Sequence, residues 1–86
     1  MMDINYELYK VFYHVATTLN FSEASKQLFI SQSAVSQSIK TLERKLDQTL
    51  FIRSTKKVQL TPEGEILLRH IEPAMNLIQK GEAQLL

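Results

Sequence analysis

Four polar side chains recur along one predicted helix at a spacing that places them on a single face. They follow one another at intervals of four, three and four residues: Ser33, Gln37, Lys40 and Arg44. Hydroxyl and amide groups near the start of such a helix can hydrogen-bond to base edges, and cations farther along can contact phosphates. The order of the residue types indicates nucleic-acid recognition more specifically than a generic solvated face does.

The candidate contacts fall into two chemical classes. Base-edge contacts are predicted for residues near the start of this helix: Gln32, Ser33, Ser36 and Gln37. Glutamine suits the N6/N7 edge of adenine, and serine accepts several base partners. Phosphate contacts, which add affinity and salt dependence without reading sequence, are predicted for Ser31, Lys40, Arg44, Arg53, Lys56 and Lys57.

The distribution of charge supports this placement better than the total does. The formal net charge is only +1, but the segment from Lys26 to Lys57 holds seven basic and two acidic residues, a balance of +5. The remaining three basic and seven acidic residues give −4. The positive field therefore belongs to the middle third of the chain, where a polyanion would bind.

Three helices are predicted, and the third of them carries this polar face. Apolar residues at helical spacing indicate a first helix from Tyr6 to Leu19, and Ser22 is predicted to cap a short second helix. Ser31 is predicted to cap the third helix, 31–46, with Ile30 and Val35 at the spacing of a hydrophobic staple. The buried face of the third helix comprises Val35, Ile39, Leu42 and Leu46. Glu43 is interpreted as a helix-surface or structural ion-pair residue.

A hairpin and a long helix follow. The β-prone runs Leu50 to Arg53 and Lys57 to Thr61 predict a hairpin over 50–61, whose turn type stays open because its tip has neither Gly nor Asn. Thr61 and Pro62 predict the start of the last helix, and Pro73 is expected to kink or divide it near Glu72. The fold class is therefore mainly α: a three-helix core with a hairpin wing, a winged helix-turn-helix over 1–60, and a linker helix over 61–86.

The last helix carries a narrow apolar seam at heptad spacing, interrupted by Gly81. The seam predicts a homodimer interface formed by Leu67, Ile71, Ala74, Ile78 and Leu85. The pattern still runs at Leu85 and Leu86, which indicates a fragment of a longer protein.

Composition excludes several classes of function. Without Cys there is no disulfide or thiolate metal site, and His14 and His70 lack partners at ligand spacing, so we expect no metal and no cofactor. No signal peptide or membrane span is evident, which fits a reducing, cytoplasmic setting. No Gly-rich phosphate loop, paired-carboxylate cleft or nucleophile–base pair supports an enzyme.

The segment from Phe21 to Gly64 resembles the LysR-type transcriptional regulators. The matching residues extend over nearly the whole chain: Phe12, Val15, Phe21, Ala24, Leu28, Ser31-Gln32, Ala34-Val35-Ser36, Ile39, Leu42-Glu43, Leu46, Leu50-Phe51, Arg53, Leu60-Thr61 and Gly64. Each short match is weak, but the ordered series is much more specific than a generic helix-turn-helix pattern.

Four residues depart from the family pattern. Ser33 stands where the family usually has Pro, Ser25 where a second Ala is common, and Asp47 where Gly usually ends the recognition helix. Gln37 stands where Arg is frequent, and this exchange favours adenine over guanine or phosphate. We expect the fold to tolerate all four, while the recognised DNA sequence differs from that of better-known relatives.

The resemblance implies sequence-specific binding to a double-stranded DNA operator by a homodimer built on antiparallel linker helices. It also implies that a small-molecule effector acts only through a further domain, absent from these residues. Two binding alternatives remain at this point. One is a DNA binder of another winged-helix family, and the other is a protein-interaction module whose basic hairpin is merely soluble surface.

Overall fold

A computed structural model describes residues 2–86 of the chain. Its elements follow one another in the order α1 (Tyr6–Thr18), α2 (Phe21–Leu28), α3 (Gln32–Leu46), β1 (Phe51–Arg53), β2 (Val58–Leu60) and α4 (Pro62–Leu85). The mainly helical architecture, with a hairpin wing between the third helix and a long last helix, confirms the predicted fold class.

The start of α2 corrects one prediction. Ser22 does not cap this helix, because it lies inside the first turn. Asn20 is the cap, and its side-chain oxygen accepts a hydrogen bond of 2.9 Å from the backbone N–H of Glu23. Asparagine ranks with serine as a cap, and an acidic residue three positions later strengthens it, so Asn20 is the better candidate on physical grounds.

The predicted cap of α3 is confirmed. The Ser31 hydroxyl oxygen accepts a hydrogen bond of 3.1 Å from the backbone N–H of Ala34. At the other end, Asp47 adopts the left-handed conformation with a φ of 54°. That conformation favours glycine, and aspartate is among the few other residues that tolerate it. The Asp47 departure therefore leaves the end of the helix intact.

The core lies between the first three helices and the start of the wing. Its largest fully buried side chains are Phe12, Val15, Val35, Ile39, Leu42 and Leu50. The Phe51 ring of β1 has its centroid 5.5 Å from that of Phe12 and 6.2 Å from that of Phe21. These aromatic contacts, at distances that favour ring attraction, fix the base of the wing against α1 and α2.

The wing is an antiparallel hairpin in which Phe51 pairs with Leu60 and Arg53 with Val58. Ser54 closes its loop: the backbone N–H of Ser54 donates to the Lys57 carbonyl at 2.9 Å, and the Ser54 hydroxyl oxygen accepts from the Lys57 N–H at 3.2 Å. No residue of the loop has a positive φ. A serine side chain thus supplies the turn for which the sequence has no Gly or Asn.

Glu43 joins α3 to the wing. Its carboxylate accepts hydrogen bonds from the backbone N–H groups of Leu50 at 2.8 Å and Phe51 at 3.3 Å. The interpretation of Glu43 as a helix-surface or ion-pair residue is therefore wrong. The half-buried carboxylate satisfies backbone donors that would otherwise lose water at the first residues of the wing.

The start of α4 is tied through Thr61 to Thr49 and Leu50, where the wing begins. The Thr61 backbone N–H donates to the Leu50 carbonyl at 3.0 Å, and its hydroxyl donates to the Thr49 carbonyl at 2.6 Å. The same hydroxyl oxygen accepts from the Gly64 N–H at 3.0 Å, which confirms the predicted cap. This buried residue fixes the direction in which α4 leaves the domain.

Of the two outcomes expected at Pro73, a kink or a division of α4, the division is wrong, because one helix runs from Pro62 to Leu85. Proline removes one backbone hydrogen bond, and the helix continues on both sides of the exposed Pro73. Leu67, Leu68 and Ile71 pack against the core. Met75, only 3 % exposed, is the last residue of α4 that the domain buries.

Candidate nucleic-acid interface

The outer face of α3 carries the predicted stripe as an exposed surface. Ser33, Gln37, Lys40 and Arg44 are all exposed, while Val35, Ile39 and Leu42 on the opposite face are buried. The helix is thus held by its apolar face and presents amides and hydroxyls near its start and cations toward its end. That polarity matches hydrogen bonding to base edges flanked by contacts to phosphates.

The first turn of α3 places three predicted contacts together. Gln32 is exposed at the first helical position, and the Ser33 hydroxyl lies 3.2 Å from the Ser31 hydroxyl. The Ser31 oxygen also accepts from the helix backbone, and one of the two serine hydroxyls donates to the other, so the pair keeps one hydroxyl proton for an external acceptor. The unpaired N–H groups and positive dipole of a helix start also favour an anion in this region.

Arg53 connects the wing to both helices of the helix-turn-helix. Its guanidinium carbon lies 3.7 Å from the centroid of the Phe21 ring, and Nη1 donates to the Ser36 hydroxyl oxygen at 3.4 Å. A guanidinium has five N–H donors, so these contacts leave donors for a phosphate. The contacts with α2 and α3 therefore fix the orientation of the Arg53 side chain, which remains exposed to solvent.

Ser36 differs from the other three predicted base contacts. It is half-buried, and its hydroxyl oxygen accepts the hydrogen bond from Arg53, whereas Gln32, Ser33 and Gln37 are exposed. The structure thus brings Ser36 to the junction of α3 and the wing rather than to the outermost ridge of α3.

The wing tip and the start of α3 border one shallow groove. The groove has a volume of about 260 Å³ and is lined by Leu19, Asn20, Phe21, Ser22, Gln32, Ser54, Thr55, Lys56, Lys57 and Val58. Lys56, Lys57 and Gln32 are exposed residues of this lining. One of the predicted reading residues, Gln32, therefore borders the same groove as the basic hairpin tip.

The described residues show neither of two competing site types. Within residues 2–86, no three His, Asp or Glu side chains gather into a possible metal site. Over the same range, none of the helices combines the length and apolar character that a membrane span requires.

Comparison with known proteins identifies the family of the chain. Residues 6–65 match the family described as bacterial regulatory helix-turn-helix protein, lysR family. The chain belongs to the LysR family. A curated relative, the HTH-type transcriptional regulator PerR of Escherichia coli K12, is 45 % identical over 76 residues, covering 88 % of this chain and 26 % of PerR. The chain thus spans about a quarter of that relative.

Two solved structures have the same fold. Oxidised OxyR of Corynebacterium glutamicum superposes with a TM-score of 0.86 at 31 % identity, over 93 % of this chain and 26 % of OxyR. The DNA-binding domain of CbnR in its DNA complex superposes with a TM-score of 0.82 at 26 % identity, over 94 % of this chain and 93 % of that domain. The chain therefore matches that DNA-binding domain over nearly its whole length.

The Arg53 linkage is the feature of this LysR-type surface that the sequence analysis missed. From the sequence, Arg53 is predicted only to contact a phosphate. Its stacking on the Phe21 ring is not predicted. One signal was available: in a strand, residues two apart share a face, so Arg53 lies on the face of the apolar Phe51. That face is directed toward Phe21.

Proposed function

We propose that this chain binds double-stranded DNA in a sequence-dependent manner, as the DNA-binding part of a LysR-type transcription regulator. In this proposal α3 enters the major groove, and the wing, residues 50–61, lies on the backbone or in the adjacent minor groove. The observation that carries it is the exposed face of α3, which passes from amides and hydroxyls to cations and whose first residue, Gln32, shares a groove with the basic hairpin tip.

Base reading is assigned to the start of α3. Gln32, Ser33 and Gln37 contact base edges directly, and Ser36 contributes a base contact beside Arg53. The exposure of Gln32, Ser33 and Gln37 and the position of Ser36 at the junction of α3 and the wing support this division. Backbone contacts are assigned to Ser31, Lys40, Arg44, Arg53, Lys56 and Lys57.

A salt titration tests the proposal directly. Binding of a labelled duplex to the 86-residue chain should weaken steeply as salt rises, because each neutralised phosphate releases condensed counterions. Duplex binding that is absent at low salt, by a chain whose circular dichroism shows the expected helices, favours the interaction-module alternative and overturns the proposal.

Replacing Lys56 by alanine should weaken binding to all duplexes alike. If Lys56 contacts a phosphate, the slope of log affinity against log salt should flatten by up to about one unit. Lys80→Ala provides the control, because Lys80 is an exposed lysine on α4, outside the basic middle third. A slope for Lys56→Ala that equals the Lys80→Ala slope removes Lys56 from the interface.

Replacing Gln37 by alanine should instead change sequence preference. Loss of its base contact should reduce discrimination at one or two base pairs by about 1–3 kcal/mol. Affinities for the preferred duplex and its single-base variants measure this, with the exposed Gln79→Ala on α4 as control. Uniform weakening across all duplexes contradicts a reading role for Gln37.

The proposal includes a homodimer that pairs through Leu67, Ile71, Ala74, Ile78 and Leu85 of α4. In it, residues 1–60 form the winged helix-turn-helix and residues 61–86 the linker. It also assigns the chain a binding role rather than catalysis, a cytoplasmic location, and control by a small molecule only through a domain beyond these residues. The exposure of Ala74, Ile78 and Leu85, together with the family resemblance, supports the dimer.

A further inference from the structure

A phenylalanine occupies the turn between α2 and α3 in a backbone conformation that favours glycine. Phe29 directly follows the last residue of α2 and has a φ of 57°. Its backbone N–H donates to the Lys26 carbonyl at 3.3 Å, and the Ile30 N–H donates to the Ser25 carbonyl at 3.2 Å. Glycine or asparagine usually occupies the left-handed position of such a helix end. The turn itself therefore does not require an aromatic side chain.

The Phe29 side chain gains little from the packing of the chain. It is 93 % exposed, whereas Leu19, the other bulky apolar residue with a positive φ, is 42 % exposed. A positive φ costs free energy for a bulky side chain, and the partial burial of Leu19 offsets some of that cost. Burial offers no comparable compensation for Phe29. A backbone outlier that packing does not compensate points to a function for its side chain.

Phe29 lies beside the start of the proposed reading helix. It precedes Ser31, the cap of α3, by two residues and Gln32 by three. Three residues of chain span at most about 11 Å, so the Cα atoms of Phe29 and Gln32 lie within that distance of each other. Successive bases of a strand are only about 3.4 Å apart along the duplex axis. The Phe29 side chain is therefore close enough to reach the base pair that Gln32 contacts or one of its neighbours.

The chemistry of the phenyl ring favours one group in the major groove. Every base pair presents hydrogen-bonding groups there, and thymine adds an apolar C5-methyl group that phenylalanine can contact. Glutamine favours adenine, and the thymine that pairs with adenine presents its methyl group in the same groove. The A·T pairs that suit Gln32 and Gln37 thus supply the apolar partner that suits Phe29.

We propose that Phe29 contacts the C5-methyl group of a thymine at or next to the base pair that Gln32 contacts. This assignment rests on the proposed function and adds to it a reading residue outside α3. The contact transfers a phenyl ring from water to an apolar surface, and this transfer supplies the gain in affinity. Because the phenyl ring neutralises no phosphate, the contact releases no counterion and leaves the salt dependence of binding unchanged.

Exchange of thymine for uracil tests the contact, because uracil differs from thymine only in lacking this methyl group. Each thymine of the preferred half-site is replaced in turn, and the 86-residue wild-type chain is compared with Phe29→Asn. At one position wild type should lose about fourfold in affinity, the equivalent of one buried methyl group, and Phe29→Asn should lose nothing. Thymines contacted by other residues should keep the same uracil sensitivity in both proteins, as a double-mutant cycle requires.

Phe29→Asn also separates a contact with DNA from a structural role. Asparagine tolerates the left-handed conformation, so the variant should unfold at the same urea concentration as wild type or a higher one. It should nevertheless bind the thymine duplex about fourfold more weakly, with the salt slope of wild type. Leu86→Asn, which removes an exposed leucine at the end of α4, is the control and should leave DNA affinity unchanged.

The outcomes separate this contact from DNA binding as a whole. Uracil sensitivity that disappears at one thymine in Phe29→Asn, and persists there in Leu86→Asn, supports the contact. An affinity of Phe29→Asn equal to that of wild type, or a loss that is the same for thymine and uracil at every position, overturns the contact while DNA binding stands. A wild-type chain that binds no duplex at low salt overturns the proposed function itself.

Discussion

Replacing Gly64 by alanine should lower the free energy of unfolding by about 3 kcal/mol, the upper end of what an overpacked site usually loses. A Cβ at this position would overlap the Leu50 carbonyl oxygen and lie 2.8 Å from Cδ2 of Leu60. The Leu60 side chain can rotate, but the Leu50 carbonyl also accepts the Thr61 N–H and is held by the backbone. The extra methyl group must therefore force α4 away from the wing.

Gly81→Ala is the matched control, because Gly81 lies in the same helix and a Cβ added there would have no atom within 4 Å of it. Alanine at this position should raise stability by up to about 1 kcal/mol through helix propensity. Urea unfolding followed by circular dichroism, at one protein concentration for wild type and both variants, measures both effects. Equal small changes for the two substitutions would show that the close approach of α4 to Leu50 does not constrain the fold.

Replacing Arg53 by alanine should lower DNA affinity roughly tenfold to a hundredfold, the range expected for loss of a hydrogen bond to a charged group. The substitution removes a proposed phosphate contact and also the link between the wing, Phe21 and Ser36. Because Arg53 is exposed, we expect a loss of stability of no more than about 1 kcal/mol from the lost cation–π contact.

Arg53→Lys separates charge from geometry. Lysine keeps the charge and should preserve the salt slope, but it lacks the planar fork that stacks on Phe21 while donating to Ser36 and a phosphate. It should therefore recover only part of the affinity. Duplex titrations of both variants, with Arg69→Ala on α4 as control, measure this. Full recovery of DNA affinity by lysine would mean that stacking of Arg53 on Phe21 has no role in binding. An unchanged affinity for Arg53→Ala would remove Arg53 from the interface.

Periodicity was sufficient to predict the helices, because the apolar residues of a buried face repeat with the helical period. Caps were predictable where one strong candidate stood alone, as at Ser31 and Thr61. The prediction failed at α2, where Asn20 and Ser22 compete and only tertiary context decides between them. At Pro73 the sequence left a kink and a division of α4 open, and the structure excludes only the division.

The residues of the site could be predicted from the sequence, but the contacts that join them could not. A stripe on α3 is a local pattern, whereas the contacts of Arg53 with Phe21 and Ser36 join positions that are far apart in sequence. Glu43 was misinterpreted for the same reason, since its acceptor role toward Leu50 depends on where the chain returns after α3. Contacts of this kind form only when the core sets the relative positions of the helices and the wing.

The most direct test of the central claim is selection of bound duplexes from a random DNA pool by the 86-residue chain, at low and at moderate salt. We predict enrichment of an inverted repeat whose half-sites are separated by about 10 base pairs or a multiple of that, as two recognition helices on one dimer require. A folded, dimeric chain that enriches no sequence over the starting pool would contradict the assignment of α3 as a reader of DNA.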